Sequence, residues 1–481
     1  MTTTGAIATP TAAAATSPAP HRTAILWIVL ISYFMIILDV SIVFTGLTHM
    51  REDVGFSTTG LAWVQSAYTL TFGGLLLLGA RAGDIIGRRN TFIIGLVIFT
   101  GASLLVGIGQ SDWWVIGSRA LQGVGAAILA PSTLSLLTAT FPEGRERTRA
   151  VSLYAAVAGI GASLGLVIGG ALADLVSWRA GFLINIPIGA IMIVMAMKFL
   201  VQPMPIPGKF DLIGALLSTV GMGLLIYGVV DSSNAGWDAP STLVCVIGGG
   251  ALVVLFVLNE WRAKQPIMPL RLFSSPYRTG AYAIRFLYLG AMAGFFYFTS
   301  QLLQDAFGWN PLQAGLGYLP MTAVNFAVAM AAPALGRRFS GATLLAAGVV
   351  STLAGMYWLS YVQPGDSYIT AIALPMILIG IGQGLAFAPM TSFGIDGLPA
   401  RDAGAASGLL NTVHQLGNCV GLAVLVTLGA NATGSSPVAI VASQVHIAFT
   451  GSSVLLALAT VVILAVILPA ELRRRRTATA L

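Results

Sequence analysis

Charge is scarce in this chain. Of 481 residues, 24 are Lys or Arg and 17 are Asp or Glu, only 9% charged against 56% hydrophobic. A soluble globular protein carries about 25% charged residues, so a soluble enzyme is excluded and a polytopic membrane protein is implied. Cysteine is nearly missing as well. Cys245 and Cys419 each fall inside an apolar stretch, which supports neither a disulfide framework nor a metal site. No nucleophile, base and orienting group come together as catalysis requires, and neither an enzyme activity nor a cofactor or metal is expected. The net charge of +7 would suggest an acidic partner such as nucleic acid in a soluble chain. In a membrane protein, basic residues can instead mark the cytoplasmic side, and their placement decides between the two.

Apolar runs fill most of the chain. Residues 1–20 are Ala, Thr and Pro almost throughout, a composition that has no apolar face to bury, so residues 1–23 read as a disordered tail. The run that follows is span-length, longer than the roughly 7 to 15 apolar residues of a signal peptide. At about 20 apolar residues per crossing, spans fall near 24–47, 60–78, 91–109, 113–139, 150–173, 181–201, 212–230, 241–258, 279–303, 313–335, 342–361, 369–390, 404–430 and 446–468. That makes about fourteen.

An even count puts both termini on one side. Taking that side as cytoplasmic, the inner loops hold Arg81, Arg88, Arg89, Arg145, Arg147, Arg149, Lys198, Lys209, Arg262, Lys264, Arg271, Arg278, Arg337, Arg338 and Arg401, and the tail holds Arg473 to Arg476. The outer loops hold Arg51 and Arg179 and are otherwise acidic or neutral, with Glu52, Asp53, Asp112, Asp174, Asp231, Asp238, Asp305 and Asp366. So one-sided a distribution is the positive-inside signal. The excess charge is therefore topological, nucleic acid is not a partner, and the expected location is the plasma (inner) membrane with both termini cytoplasmic.

Two stretches recur. G-R-R appears at Gly87 to Arg89 and again at Gly336 to Arg338, and G-A-A-I-L-A-P-S-T at Gly125 to Thr133 resembles G-Q-G-L-A-F-A-P-M-T at Gly382 to Thr391. Both proline-bearing spans run in the same direction, so the repeat is parallel. The expected architecture is all-α: an N-terminal six-helix bundle over 24–201, an inserted two-helix hairpin over 202–260, a C-terminal six-helix bundle over 261–472 and a basic tail over 473–481.

Within the first span, Y-F-M-I-I-L-D-V-S-I-V-F-T at Tyr33 to Thr45, Asp39 is the lone acid at membrane depth. An intramembrane charge costs roughly 2.5 to 3.5 kcal/mol or more and marks a functional position by default. Arg119 lies about 9 Å from the outer end of the fourth span and Asp39 about 12 Å from that of the first, at about 1.5 Å per residue, so the opposite charges share a depth. Burial favours the neutral form of a carboxyl group and a nearby guanidinium the charged form. A carboxylate that an arginine approaches and leaves in turn would take up and release a proton; a static pair joining two helices is the competing reading. Gln122, one turn from Arg119, can join either.

These residues resemble the major facilitator superfamily and, within it, the fourteen-span drug:proton antiporters. Four motifs carry the resemblance. G-A-R-A-G-D-I-I-G-R-R-N, Gly79 to Asn90, matches the superfamily loop pattern G-x-L-A-D-R-x-G-R-K, with Arg81 and Ile85 as departures. L-D-V-S-I-V, Leu38 to Val43, is similar to the first-span signature L-D-x-T-I-V, and R-A-L-Q-G-V-G-A-A, Arg119 to Ala127, matches R-x-x-Q-G-x-G-A-A. G-I-G-A-S-L-G-L-V-I-G-G, Gly159 to Gly170, resembles the antiporter motif G-x-x-x-G-P-x-x-G-G, but Leu166 stands where proline is usual. W-R-A-G-F-L-I-N-I-P-I-G at Trp178 to Gly189 is also family-like.

The resemblance implies that Gly79, Gly83, Asp84, Gly87, Arg88 and Arg89 form a conformational latch on the cytoplasmic side, and that Asp39, Arg119 and Gln122 couple protons. Gly161, Gly165, Gly169 and Gly170 would be the helix-packing antiporter motif, since small residues four apart let helices approach closely. It also implies export of lipophilic or cationic drugs or antibiotics against protons, by alternating access in a monomer. Proton-coupled uptake of a metabolite and a non-transporting sensor or scaffold are the alternatives. In the second half, Tyr288, Phe295, Gln301, Asn411 and His414 are weak candidates for a substrate pocket, on the ground that aromatic walls with a few amides suit such ligands. Arg285, about a turn and a half inside its span, reads as an anchor that snorkels to the cytoplasmic face.

Overall fold

A computed structural model describes residues 21–141, 145–200, 211–263, 266, 268, 270–398, 400–430 and 432–479. Residues 1–20 of the expected tail over 1–23, Lys209, Lys264, the start of the inserted segment at 202–210 and the last two residues of the basic tail lie outside the described residues, as do the side chains of Asp84, Arg401 and Arg474 to Arg476, while residues 22 and 23 already belong to the first helix.

All regular structure among the described residues is helical, and a helix satisfies its own backbone N–H and C=O groups where no water can. The first half comprises α1 (Arg22–Val54), α2 (Thr58–Ile85), α3 (Arg88–Gly107), α4 (Asp112–Thr140), α5 (Arg145–Leu175), the short α6 (Trp178–Leu183) and α7 (Asn185–Phe199). A hairpin of α8 (Leu212–Ala235) and α9 (Pro240–Arg262) follows. The second half comprises α10 (Pro276–Gln301), the short α11 (Pro311–Leu316), α12 (Leu319–Leu335), α13 (Gly341–Leu359), α14 (Leu374–Gly394), α15 (Ala400–Gly429), α16 (Pro437–Val462) and α17 (Leu468–Thr479). Among the described residues, 13 helical stretches are long and apolar enough to cross a membrane. The molecule is an integral membrane protein. Exposed Ile191, Val194, Val244, Ile247, Met330 and Val461 point outward, the reverse of a soluble surface.

Helix starts follow from local chemistry. Ser57 accepts the Gly60 N–H at 2.9 Å ahead of α2, and Asn310 with Gln313 forms a capping box ahead of α11. Such caps satisfy N–H groups that a helix leaves unpaired. Segments of π-helix occupy Leu302–Ala306, Ile369–Ala373 and Ile463–Ile467.

Small residues set the closest packing. α1 lies on α5: a methyl group on Gly165 would sit 2.6 Å from Ser41 Cβ, and one on Gly169 would sit 2.7 Å from Ile42 Cα. Elsewhere α2 and α3 pack on α4, α12 and α13 on α14, and α15 and α16 on α10. The halves meet where α2 packs on α15 and α5 on α11. The α8–α9 hairpin is not a detached insert, because α8 packs on both α2 and α15. Ile226 and Val230 cluster there with Leu70, Cys419 and Ala423, so the hairpin covers the seam between the halves.

The two ends of the helix assembly differ. At the end carrying Arg51, a single apolar core runs from Phe44, Leu47 and Met50 of α1 into Phe295, Phe298 and Leu302. Polar contacts also cross the halves there: Arg51 Nη2 pairs with Asp305 at 3.0 Å, Ser300 Oγ donates to the Phe44 carbonyl at 2.5 Å, and Gln304 Nε2 donates to the Thr45 carbonyl at 3.3 Å. That end is closed. Toward the Arg88 end, Thr391 of α14 and Asn411 of α15 are exposed, although they lie one turn from the interior Phe387 and His414.

Candidate functional site

Asp39, Arg119 and Gln122 are all fully buried and meet in one network. Arg119 Nη1 donates to Asp39 Oδ2 at 2.5 Å and to Gln122 Oε1 at 2.7 Å, while Gln122 Nε2 donates to Asp39 Oδ1 at 2.7 Å. Arg119 Nε donates to the Val64 carbonyl of α2 at 3.0 Å, and its guanidinium lies 4.3 Å from the Tyr68 ring centroid and 5.5 Å from that of Phe182. Two members were not singled out from the sequence. Asn185, first residue of α7, donates from Nδ2 to Asp39 Oδ1 at 3.1 Å and to Ser103 Oγ of α3 at 3.2 Å; Gln122 also donates to Ser103 at 2.6 Å. The break between α6 and α7 places the side chain of Asn185 against the carboxylate. Asp39 thus receives three donors from two neighbouring helices, and the pair is neutral overall, which makes so deep a burial tolerable. Arg119 Nη2 and the Tyr68 hydroxyl have no hydrogen-bond partner, leaving polar capacity beside the pair.

The glycine motif supports this node from behind. Gly161, Gly165 and Gly169 of α5 face α1 around Ile37, Ser41 and Ile42, on either side of Asp39, and Gly170 faces the Pro311 carbonyl of α11. One stripe therefore touches both α1 and the second half.

Among the described latch residues, Gly79, Gly83, Arg88 and Arg89 have contacts within their own half. A methyl group on Gly79 would meet the Ala127 carbonyl of α4 at 2.1 Å; Arg88 Nη1 donates to the Ser135 carbonyl of α4 at 3.1 Å, and Arg89 Nη2 to the Met197 carbonyl of α7 at 2.8 Å. Gly83 is buried beside the Arg88 side chain, and Gly87 adopts a φ of +97°, the turn from α2 into α3. The two arginines on the acidic side are both neutralised: Arg51 by Asp305, and Arg179 by Asp53, which also accepts the Trp178 indole N–H at 2.9 Å.

Of the five weak pocket candidates, Tyr288 and His414 each approach the Phe387 ring, at 6.3 Å between centroids. Tyr288 and Phe295 are fully enclosed, the first bonded to Thr352 Oγ1 at 2.9 Å and the second edge-on to Tyr318. Gln301 is buried and turns back toward the Tyr297 carbonyl of its own helix at 3.5 Å. Asn411 is exposed and bonds the Ser407 carbonyl at 3.2 Å. His414 has a partner that corrects a second expectation. Arg285 does not snorkel to the face: it is buried, with Nη1 on Thr391 Oγ1 at 3.0 Å and Nη2 on His414 Nδ1 at 3.2 Å, and its guanidinium lies 5.6 Å from the Phe387 ring centroid. Counting turns from a helix end gave its depth but not the side of the helix it projects from. Among the described residues no group of three or more His, Cys, Asp or Glu could hold a metal ion.

The profile of the Major Facilitator Superfamily matches residues 29–422. The chain is 38% identical over 464 residues to the cephamycin export protein CmcT of Amycolatopsis lactamdurans, covering 95% of each chain. It is 33% identical over 446 residues to the puromycin resistance protein pur8 of Streptomyces alboniger, covering 90% of this chain and 88% of that one. Among solved structures it is similar to a POT family transporter, with a TM-score of 0.67 at 14% identity over 93% of this chain and 96% of that one, a likeness of fold alone.

Proposed function

Because the chain belongs to the major facilitator superfamily, we propose that it exports an antibiotic or other drug across the plasma membrane in exchange for protons, by alternating access and as a monomer. The observation that carries export is the likeness, over 95% of both chains, to a protein named for cephamycin export. Proton coupling is assigned to Asp39, with Arg119 and Gln122 as the partners that give up and recover its carboxylate. A proton arriving on Oδ2 would displace the Arg119 bond, and Gln122 Oε1, already 2.7 Å from Nη1, is placed to keep the guanidinium paired.

Counting α5 as a crossing, with α6–α7 and α11–α12 each as one, gives fourteen, both termini on the cytoplasmic Arg88 end and two six-helix bundles in parallel repeat. The equivalent packing of Gly95 against Leu129 of α4 in one half and of Gly348 against Ala386 of α14 in the other supports the repeat. The contacts that close the Arg51 end support a cavity opening to the cytoplasm, with the latch at Gly79 to Arg89 disengaged. The latch would engage the second half only when the Arg51 end opens.

Inside-out membrane vesicles containing the protein test this reading. An imposed proton gradient, acid inside, should drive uptake of radiolabelled cephamycin or puromycin into the vesicles, since their lumen is the outside. Compound moving instead down the same direction as protons would indicate symport and overturn export.

A further inference from the structure

Arg285 holds a buried positive charge with no negative partner among the described residues. Its described contacts are a hydroxyl, an aromatic ring and an imidazole, and among the described residues no carboxylate pairs with it. Because arginine has donors only, the His414 Nδ1 facing it must be an acceptor; that imidazole is neutral and carries its proton on Nε2. Arg285 Nε has no hydrogen-bond partner among the described residues. Asp39 and Arg119, by contrast, neutralise each other within the first half. A buried cation is ordinarily paired, so the missing partner is an anion that the described residues do not supply.

The surroundings describe that anion's carrier. Across the seam from Arg285, and within reach of its charge, Tyr33 of α1 stacks on Tyr154 of α5 with ring centroids 3.9 Å apart and planes at 9°. The Tyr154 hydroxyl in turn lies 3.0 Å from Thr133 Oγ1. Phe387 approaches both the guanidinium and the His414 ring. Exposed Thr391 and Asn411 mark the way in from the Arg88 end. A guanidinium flanked by the Thr391 hydroxyl and faced by the Phe387 ring fits a carboxylate on an apolar or aromatic body, and it would repel a cation.

Building on the export reading, we propose that Arg285 is the anion-recognition residue of the transport pathway and that the transported compounds carry a carboxylate. Arg285 would bind it with Thr391 alongside, and Tyr33, Tyr154 and Phe387 would cover the body. Such a site departs from the cationic compounds, but not from the lipophilic ones, that the family resemblance implies.

The test is equilibrium binding to the purified full-length protein, using three probes: cefoxitin, a cephamycin with a free carboxylate; its uncharged methyl ester; and puromycin, an amine. A hydrogen bond to a charged group contributes about 1.5 to 3 kcal/mol, which is about ten- to a hundredfold in affinity, so the wild type should bind the acid that much more tightly than the ester. Arg285→Gln should reduce the acid-to-ester ratio to about one, and Arg285→Lys should restore part of it. Equal affinity for acid and ester in the wild type, no binding of the acid, or tighter binding of puromycin would overturn the proposal without use of any variant. An acid-to-ester preference that survives Arg285→Gln would also overturn it. Vesicle export is read separately: binding with the stated preference but no proton-driven movement of any probe would leave the anion site standing and remove the export reading.

Discussion

Removing one member of a buried ion pair strands the other, and the Asp39–Arg119 node allows that cost to be separated from function. Both side chains are fully buried and every donor aimed at Asp39 is itself enclosed. Asp39→Asn keeps the shape but leaves the Arg119 charge without an anion, with a neutral amide in place of the carboxylate. Breaking a buried pair in this way costs about 3 to 5 kcal/mol. Gln122 Oε1 and the Val64 carbonyl still accept from Arg119, which places the expected loss at the lower end, near 3 kcal/mol. Arg119→Gln alone strands Asp39 with its amide donors and should cost a similar amount. The double variant strands nothing, and the coupling between the two sites should return about 2 kcal/mol or more, within the range measured for contacting residues. Urea unfolding of the purified protein in detergent, followed by tryptophan fluorescence, measures the cycle. Strict additivity of the two single losses would show that the side chains do not pair and would refute the geometry on which the coupling role depends.

Three further outcomes follow from other parts of the molecule. Gly165→Ala should destabilise the protein by about 1 to 3 kcal/mol, the ordinary cost of overpacking, because a methyl group there meets Ser41 Cβ at 2.6 Å, whereas Gly101→Ala, with nothing within 4 Å, should leave thermal stability unchanged; equal effects in a thermal unfolding scan would contradict the close packing of α1 on α5. Asp305→Asn removes the ion pair that joins α1 to the second half at 3.0 Å, so spin labels at Glu52 and Ser435 in that background should show a longer-distance population, and an unchanged distance distribution would mean the pair does not hold that end shut. One proton exchanged for a neutral compound moves one charge, but exchanged for a monoanion it moves two, so 100 mV contributes about 4.6 rather than 2.3 kcal/mol; uptake into vesicles should depend on membrane potential about twice as steeply for cefoxitin as for its ester, and equal slopes would argue against an anionic cargo.

The parts of the site that were legible in the sequence are those where a residue type is rare in its setting. Asp39 and Arg119 announce themselves because a charge in an apolar run has few neutral explanations, and Gln122 follows by helical spacing. Ser103, Asn185 and Tyr68 could not be read the same way: neutral polar and aromatic residues are common in spans, and only the α6–α7 break and the meeting of α1, α2, α3 and α4 bring them to one point. A lone asparagine in the sixth span was the available signal. Helix extents were misjudged where apolar counting stopped at a charge or histidine. α1 continues to Val54 past Arg51, whose charge is met by Asp305, and α16 starts at Pro437, behind a Ser436 cap, well before His446. Arg285 shows the complementary limit, since depth along a helix is legible in one dimension and direction around it depends on the partners.

The account stands most directly on what Asp39 does. In proteoliposomes loaded with a pH-sensitive dye, the wild-type protein should couple drug movement to proton flux in the opposite direction, and Asp39→Asn, reconstituted to the same level and still binding drug, should lose that drug-driven proton flux. Undiminished coupled flux in Asp39→Asn would contradict the account and leave the Asp39–Arg119 pair a static bridge between two helices.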